Sequence, residues 1–285
     1  MGKVVVLDKR AFRKRIEHIS SLPTLPSLLQ KCNEMTKDPK ISMDILGKEL
    51  SKDQVITSRL LKMINSAYYG FPSRIRTITH ALVLLGYDAL NGLIITSSIF
   101  ENISPTAYPL WRHSIAVSLA SRTIATKLSL QDREEFAVAG LLHDIGKVIL
   151  HMEAPREYRA VVEYARVSGK PLWMTESEML GFDHATIGLW ICEKWTLPAK
   201  FAIPVSYHHM VNEAQDHKKR VAVVALADIV VRGMGSGAEG DLLLEETDPH
   251  IEEQLPLTGE LLESLVGEVE PEIESIKDLV PEDMQ

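Results

Sequence analysis

Apolar residues in this chain recur every three to four positions and rarely alternate, so its segments can bury one face as helices but not as half-exposed strands. In "SMDILGKELSKDQVITSRLLKMINSAYYG" (42–70), Ile45, Leu46, Leu50, Val55, Ile56, Leu60, Leu61 and Ile64 hold helical spacing. Two amphipathic helices are expected there, with Ser42 and Ser51 as N-caps and Gly70 followed by Pro72 as the stop. "SRIRTITHALVLLGYDALNGLIITSSIF" (73–100) reads as two more helices meeting near Gly86, and "SLPTLPSLLQKCNEM" (21–35) enters a helix near Ser27. "ISPTAY" (103–108) marks a boundary, and helices are then expected over 109–128, 133–150, 155–168, 175–195, 198–211 and 217–232. The expected fold class is all-α, with an N-terminal helical lobe over 1–105 packed on a second helical lobe over 106–232.

"GMGSGAEGD" (233–241) reads as a flexible linker. Beyond it Leu261, Leu262, Leu265, Val266 and Val269 share a face, which predicts helix over 259–279 docked on the body or on another chain. Residues 233–285 thus form a linker and an acidic C-terminal helix.

Charge is divided unevenly along the chain. The net charge of −8 is concentrated at the end, where residues 233–285 hold 16 acidic side chains and one basic one, Lys277. The rest carries 23 acids and 30 bases. A mildly basic body favours phosphorylated ligands, whereas the acidic tail and the lack of a basic stripe with interleaved aromatics argue against nucleic acid as a partner. No apolar run approaches the length of a bilayer span, and the start is too weakly apolar for a signal peptide, so membrane insertion is not expected. Cys32 and Cys192 lie far apart and suggest neither a disulfide framework nor a thiolate metal site. A reducing cytoplasm is the expected compartment.

Against this helical background, "AVAGLLHDIGKVIL" (137–150) sets His143 and Asp144 within an apolar run that breaks on a Gly and resumes. His113, His184, His208, His209 and Asp228 also fall at or near apolar helical stretches. Burying that many polar groups without partners would cost roughly 1–3 kcal/mol each, and a shared cation centre removes the cost for all of them. Imidazoles with carboxylates suit Fe, Mn, Zn, Co or Ni. Each residue also has a plainer reading: a satisfied core histidine for His113 or His184, a cap or an Arg partner for Asp228, exposed loop residues for His208 and His209. The joint pattern favours cation ligation, because a carboxylate beside a histidine can bridge two ions. Lys147 lies four residues after His143 and, on a continued helix, shares its face and could reach a substrate phosphate; the alternative is a solvated lysine at a helix end.

The order His, His-Asp-x-Gly-Lys, His, His-His and Asp resembles the HD superfamily of metal-dependent phosphohydrolases. The first half resembles the HDOD family of HD-related signal-output domains. Its matching stretches are "LPTLP" (22–26), "SKDQVITSRLLKMINSAYYG" (51–70) and "ITHALVLLGYDAL" (78–90), with Asn65-Ser66 and Leu85-Gly86 the most specific points. The resemblance implies an HD-type lobe over 106–232 holding two divalent transition ions, iron first, with Mn, Zn, Ni or Co as alternatives. Asp144 would bridge them. His113, His143 and Asp228 would serve one ion, and His184, His208 and His209 the other. Many HDOD proteins have lost these ligands, whereas this chain has a candidate for each. It lacks the Gly-Tyr-Pro loop that follows the paired histidines in HD-GYP phosphodiesterases, and the Glu of a third ion would fall at Pro109.

A signal-output role is therefore expected first, with a signalling protein or a phosphorylated small molecule as partner. The alternative is a phosphohydrolase or phosphodiesterase acting on a nucleotide or other phosphoester, with Asp144 and Lys147 in the reaction. The Asn-Ser pair and Tyr68, Tyr69 and Phe71 favour the first reading if they form a partner surface, although they could equally pack between the lobes.

Overall fold

A computed structural model describes residues 7–18, 27–38, 40–65, 74–100, 108–238 and 248–275. The described residues form helices and turns with no strand, as the all-α expectation requires. The chain divides into one compact unit formed by residues 1–19 and 103–273 and another formed by 20–102 and 274–285.

In the smaller unit, α2 (Ser27–Met35), α3 (Met43–Leu50), α4 (Gln54–Ile64), α5 (Ile78–Leu85) and α6 (Tyr87–Phe100) enclose Cys32, Leu46, Leu50, Leu60, Ile64, Leu82 and Leu93. Ser42 caps α3 by accepting from the Ile45 N–H. Ser51 ends α3 rather than starting α4: its hydroxyl donates to the Gly47 carbonyl at 2.6 Å, which spends it on the preceding helix. Gly86 turns the chain between α5 and α6 with φ of 79°, a conformation costly for any residue with a Cβ. Asn65 is a clamp. Its amide donates to the Leu61 and Ile75 carbonyls, both at 2.7 Å, and its oxygen accepts the Ile75 N–H at 2.6 Å. The "LPTLP" stretch, Ser66, Tyr68, Tyr69, Phe71 and the 103–107 boundary lie outside the described residues.

The larger unit holds α1 (Lys9–His18), α7 (Tyr108–Lys127), α8 (Arg133–Leu142), α9 (Ile145–Glu153), α10 (Pro155–Ser168), α11 (Leu172–Leu180), α12 (His184–Lys194), α13 (Ala199–Tyr207), α14 (Lys218–Gly233), α15 (Pro249–Gln254) and α16 (Gly259–Ser275). Two segments expected as single helices are split, at points that matter below. The 133–150 run breaks at His143-Asp144 and not at the glycine, which lies inside α9. The 175–195 run breaks at Gly181, whose φ of 86° ends α11, and α12 restarts where Asp183 accepts the Thr186 N–H at 2.8 Å.

The C-terminal helix docks on its own unit. Leu265, Val269 and Ile273 of α16 are buried among Ala116, Val117, Ala120 and Ile124 of α7 and Val221, Ala225 and Val231 of α14. Leu262 and Val266, assigned to the same apolar face from sequence, instead remain exposed at the edge. Lys127 reaches from α7 to Ser264 and Glu268. Among the described residues no single helix is long and apolar enough to cross a membrane.

Candidate metal centre

Five separate stretches deliver the seven residues singled out from sequence to one place. His113 lies in the second turn of α7, His143 and Asp144 form the α8–α9 junction, and His184 opens α12. His208 ends α13, His209 follows it, and Asp228 lies in α14. The break at His143-Asp144 matters because a continuous helix would turn adjacent side chains about 100° apart. With Asp144 at φ −97° and ψ 13°, both side chains reach the centre.

Gly146 explains how α9 comes so near. A Cβ there would fall 1.9 Å from the His184 carbonyl oxygen and 3.0 Å from the Gly188 nitrogen. Backbone therefore meets backbone where α9 crosses the start of α12, which brings Asp144 beside His184.

The donor atoms form three groups whose members lie within 4.8 Å of one another: the triads His113, His143 and Asp228, and His184, His208 and His209, and a third, His143, Asp144 and His208, that links them. Asp144 lies between the two triads. Its Oδ2 is 3.5 Å from His113 Nε2 and 3.3 Å from His143 Nε2, while its Oδ1 is 3.2 Å from His184 Nε2 and 3.8 Å from His208 Nε2. One carboxylate oxygen faces each triad. Asp228 Oδ1 lies 3.1 Å from His113 Nε2. Across the second triad, His184 Nε2 is 3.0 Å from His209 Nε2 and 3.3 Å from His208 Nε2.

Proton placement follows from the other side of each ring. His113 Nδ1 donates to the Ser236 carbonyl at 2.9 Å, His143 Nδ1 to Gly140 at 2.7 Å and His208 Nδ1 to Val205 at 3.0 Å. A carbonyl oxygen only accepts, so these Nδ1 atoms carry hydrogen, and in the neutral tautomer that a metal ligand requires each ring turns an Nε2 lone pair inward. Inward-facing lone pairs and carboxylates repel unless something positive lies between them. Four of these atoms, His113 Nε2, His143 Nε2, Asp144 Oδ1 and Asp228 Oδ1, are buried without a hydrogen-bond partner, and each would cost about 1–3 kcal/mol left that way. The donor set fits transition ions on this ground, and it could hold them in either triad.

The electrostatics divide the centre: burial lowers His113, but Asp228 and Asp144 outweigh it and raise the ring above its ordinary value. Burial favours the neutral form of Asp144, yet His143 and Lys147 hold its carboxyl well below the usual carboxylate range. Burial opposes ionisation of Asp228 as well, and Arg232 and His113 overcome it. Burial pushes His208 down to about 3, helped by His143 and His184, and lowers His209, so both rings stay neutral as ligands must. Burial and Lys147 lower His184 as well, but Glu176 and Asp144 together outweigh them and raise it to about 10.

Three contributors were not legible as site residues. Arg232 pairs with Asp228 at 3.1 Å across one helical turn. Thus the Arg partner that was one reading of Asp228 is present alongside its place in the triad. Ser236 acts through its backbone, and it lies in the segment expected to be a flexible linker. In the described part of that segment, 233–238, Ser236 instead touches His113 and Ala238 is buried; 239–241 lie outside the described residues. Glu176 is fully buried on α11, and its signal was present: Leu172, Thr175, Glu176, Met179 and Leu180 form one buried helical stripe with a carboxylate in it. Lys147 is buried too, with Nζ 2.7 Å from Asp144 Oδ2, so the reading of a solvated helix-end lysine is overturned.

Known proteins share this arrangement of helices. The HDOD domain model matches residues 22–211. An HDOD domain protein from Geobacter sulfurreducens superposes with a TM-score of 0.73 at 26% identity, covering 93% of this chain and 95% of that one. A candidate signal transduction protein from Marinobacter aquaeolei VT8 gives a TM-score of 0.73 at 18% identity, covering 97% of this chain and 62% of that one. An uncharacterized protein of Treponema pallidum (strain Nichols) is 24% identical over 225 residues, 76% of this chain, and the chain spans 43% of that relative's length. The helical fold and the family pattern running from the first unit's helices to the paired histidines agree, and the chain belongs to the HDOD family.

Proposed function

We propose that this chain is a signal-output protein whose conformation is set by a dinuclear transition-metal centre, with Asp144 bridging the His113–His143–Asp228 and His184–His208–His209 positions. The observation that carries the reading is the enclosure of this donor set. His113, His143, Asp144, His184, His208 and Asp228 are each at most 3% exposed, and only His209 is partly open. A centre so enclosed joins α7, the α8–α9 junction, α12, α13 and α14, so ion loading stabilises one arrangement of these helices. Such coupling suits a regulator that passes its state to a signalling protein or responds to a phosphorylated ligand.

A phosphohydrolase is the second reading, and Lys147 is the observation that favours it. Its ammonium lies on Asp144 Oδ2 within the centre, where it could also neutralise a phosphoryl oxygen. Two bound ions would supply Lewis acidity and a more acidic water. Lys147 and Asp144 would then take part in the reaction, Lys147 by holding substrate charge and Asp144 by fixing the two positions.

The test compares metal-loaded and chelated protein for thermal midpoint and protease susceptibility, beside a panel of nucleotides, cyclic dinucleotides and bis(p-nitrophenyl) phosphate. The signal-output reading expects a higher midpoint and greater protection on loading, with no turnover above the Asp144→Asn variant. Turnover lost in that variant would establish the second reading instead. No change on loading would defeat both.

A further inference from the structure

Of the four imidazoles of the centre with an anchored Nδ1, three donate to backbone carbonyls and one, His184, donates to a carboxylate. That difference singles out Glu176. Its Oε2 accepts the His184 Nδ1–H at 2.6 Å and the His184 backbone N–H at 2.7 Å, so a single oxygen fixes both the ring and the residue that bears it. We propose that Glu176 is a positioning residue of the metal centre, which aims His184 Nε2 into the His184–His208–His209 position and makes it the stronger donor there. This rests on the metal-centre reading above.

The geometry separates this role from helix capping. The start of α12 already has a cap, the Asp183 carboxylate on the Thr186 N–H. Glu176 places a carboxyl group inside an apolar stripe of α11, where an apolar side chain would serve packing better. Its Oε1 is buried without a hydrogen-bond partner, so the side chain is poorly used as a piece of core. Its charge is compensated if it faces a cation through the imidazole, as carboxylate–histidine–metal chains do.

The second triad is also pre-shaped. The His184–His209 and His184–His208 nitrogen separations of 3.0 and 3.3 Å approach the spacing of about 3.4 Å between ligands on one tetrahedral ion with bonds of about 2.1 Å. On the side of the first triad, by contrast, Lys147 already lies on the Asp144 oxygen that faces it, and Arg232 on Asp228. Loss of Glu176 should therefore weaken one ion position and spare the other.

The experiment uses the full chain titrated with Co²⁺ alone, reading ions per chain after dialysis against a weak chelator, the visible spectrum of the bound cobalt, and the thermal midpoint of the metal-free protein. Glu176→Gln keeps the shape and an acceptor but loses the charge, whereas Glu176→Ala loses both. Glu176→Gln is expected to weaken one of two ions by roughly 10–100-fold while retaining its spectrum at saturation. Glu176→Ala should lose that ion and its spectral component and keep the other, as is also expected of His184→Ala. The proposal is overturned if both Glu176 variants hold two ions as tightly as wild type. It is equally overturned if both ions weaken together in step with a fall in the metal-free midpoint, or if both variants fail to fold, because Glu176 is then a structural residue. A wild type that binds no cobalt overturns the metal-centre reading itself, and this inference with it.

Discussion

Helices α7 and α14 each serve two regions, and those regions are held together by opposite means. Around His113 and Asp228 the contacts are polar, enclosed and incomplete, with unpartnered Nε2 and Oδ1 atoms turned towards each other. Along the same helices, Ala116, Val117, Ala120, Val221 and Ala225 cluster with Leu265 and Val269 of α16 in a contact whose centre is hydrocarbon, with Lys127 at its rim. The apolar region is complete as built, since its stabilisation scales with area removed from water. The polar region holds Lys147 on Asp144 and Arg232 on Asp228, yet it leaves His113 Nε2, His143 Nε2, Asp144 Oδ1 and Asp228 Oδ1 without a hydrogen-bond partner. The helices that position the centre thus have, in α16, an apolar contact that is separate from the polar one.

The largest expected effect falls on the polar region. Asp144→Ala should abolish most metal binding and, at a thousandfold excess of metal over the wild-type dissociation constant, lose about 4 kcal/mol of stability relative to wild type. The deficit should shrink when both proteins are chelated, and Asp88→Ala in the smaller unit should leave metal content unchanged. An equal deficit with and without metal would mean that Asp144 is only structural.

Leu265→Ala tests the other side of the comparison. Removing a fully buried leucine side chain should cost about 3 kcal/mol, equally in loaded and chelated protein, with metal content intact. Should the metal content drop as well, the two regions are coupled and the contrast breaks down.

Gly146→Ala is expected to cost about 2 kcal/mol, because the new methyl collides with the His184 carbonyl and forces α9 from α12. Calorimetry with elemental analysis would show it as a stability loss joined to metal loss, unlike the leucine variant. A neutral result would show that the close approach is not required.

How much of this was readable beforehand depends on what each residue does. The seven convergent side chains were legible because each places a polar group in an apolar helical context, and the order of residues resembled a known pattern. Glu176 was not, since glutamate usually marks a solvated face and its burial becomes visible only from the stripe of α11. Ser236 contributes a carbonyl that any residue possesses, so no side-chain pattern could announce it. The break at His143-Asp144 was hidden for a different reason. Apolar residues continue on both sides of it, and Gly146, taken from sequence as the interruption, is instead a point of close contact inside α9. Ser51 shows the same ambiguity, as a hydroxyl can cap the helix behind it as readily as the one ahead.

The smallest effect concerns the rim of the apolar region. Lys127→Ala removes a partly exposed ion pair with Glu268 and should cost under about 1 kcal/mol, less still at high salt. A larger, salt-insensitive loss would mean that α16 is held by charge and not by its apolar face.

The central claim is the bridging role of Asp144, and metal stoichiometry tests it most directly. Elemental mass spectrometry of purified, metal-replete wild type and Asp144→Ala should find about two ions per chain in the first and well under one in the second. Less than one ion per chain in wild type, or a full complement retained by the variant, would contradict it.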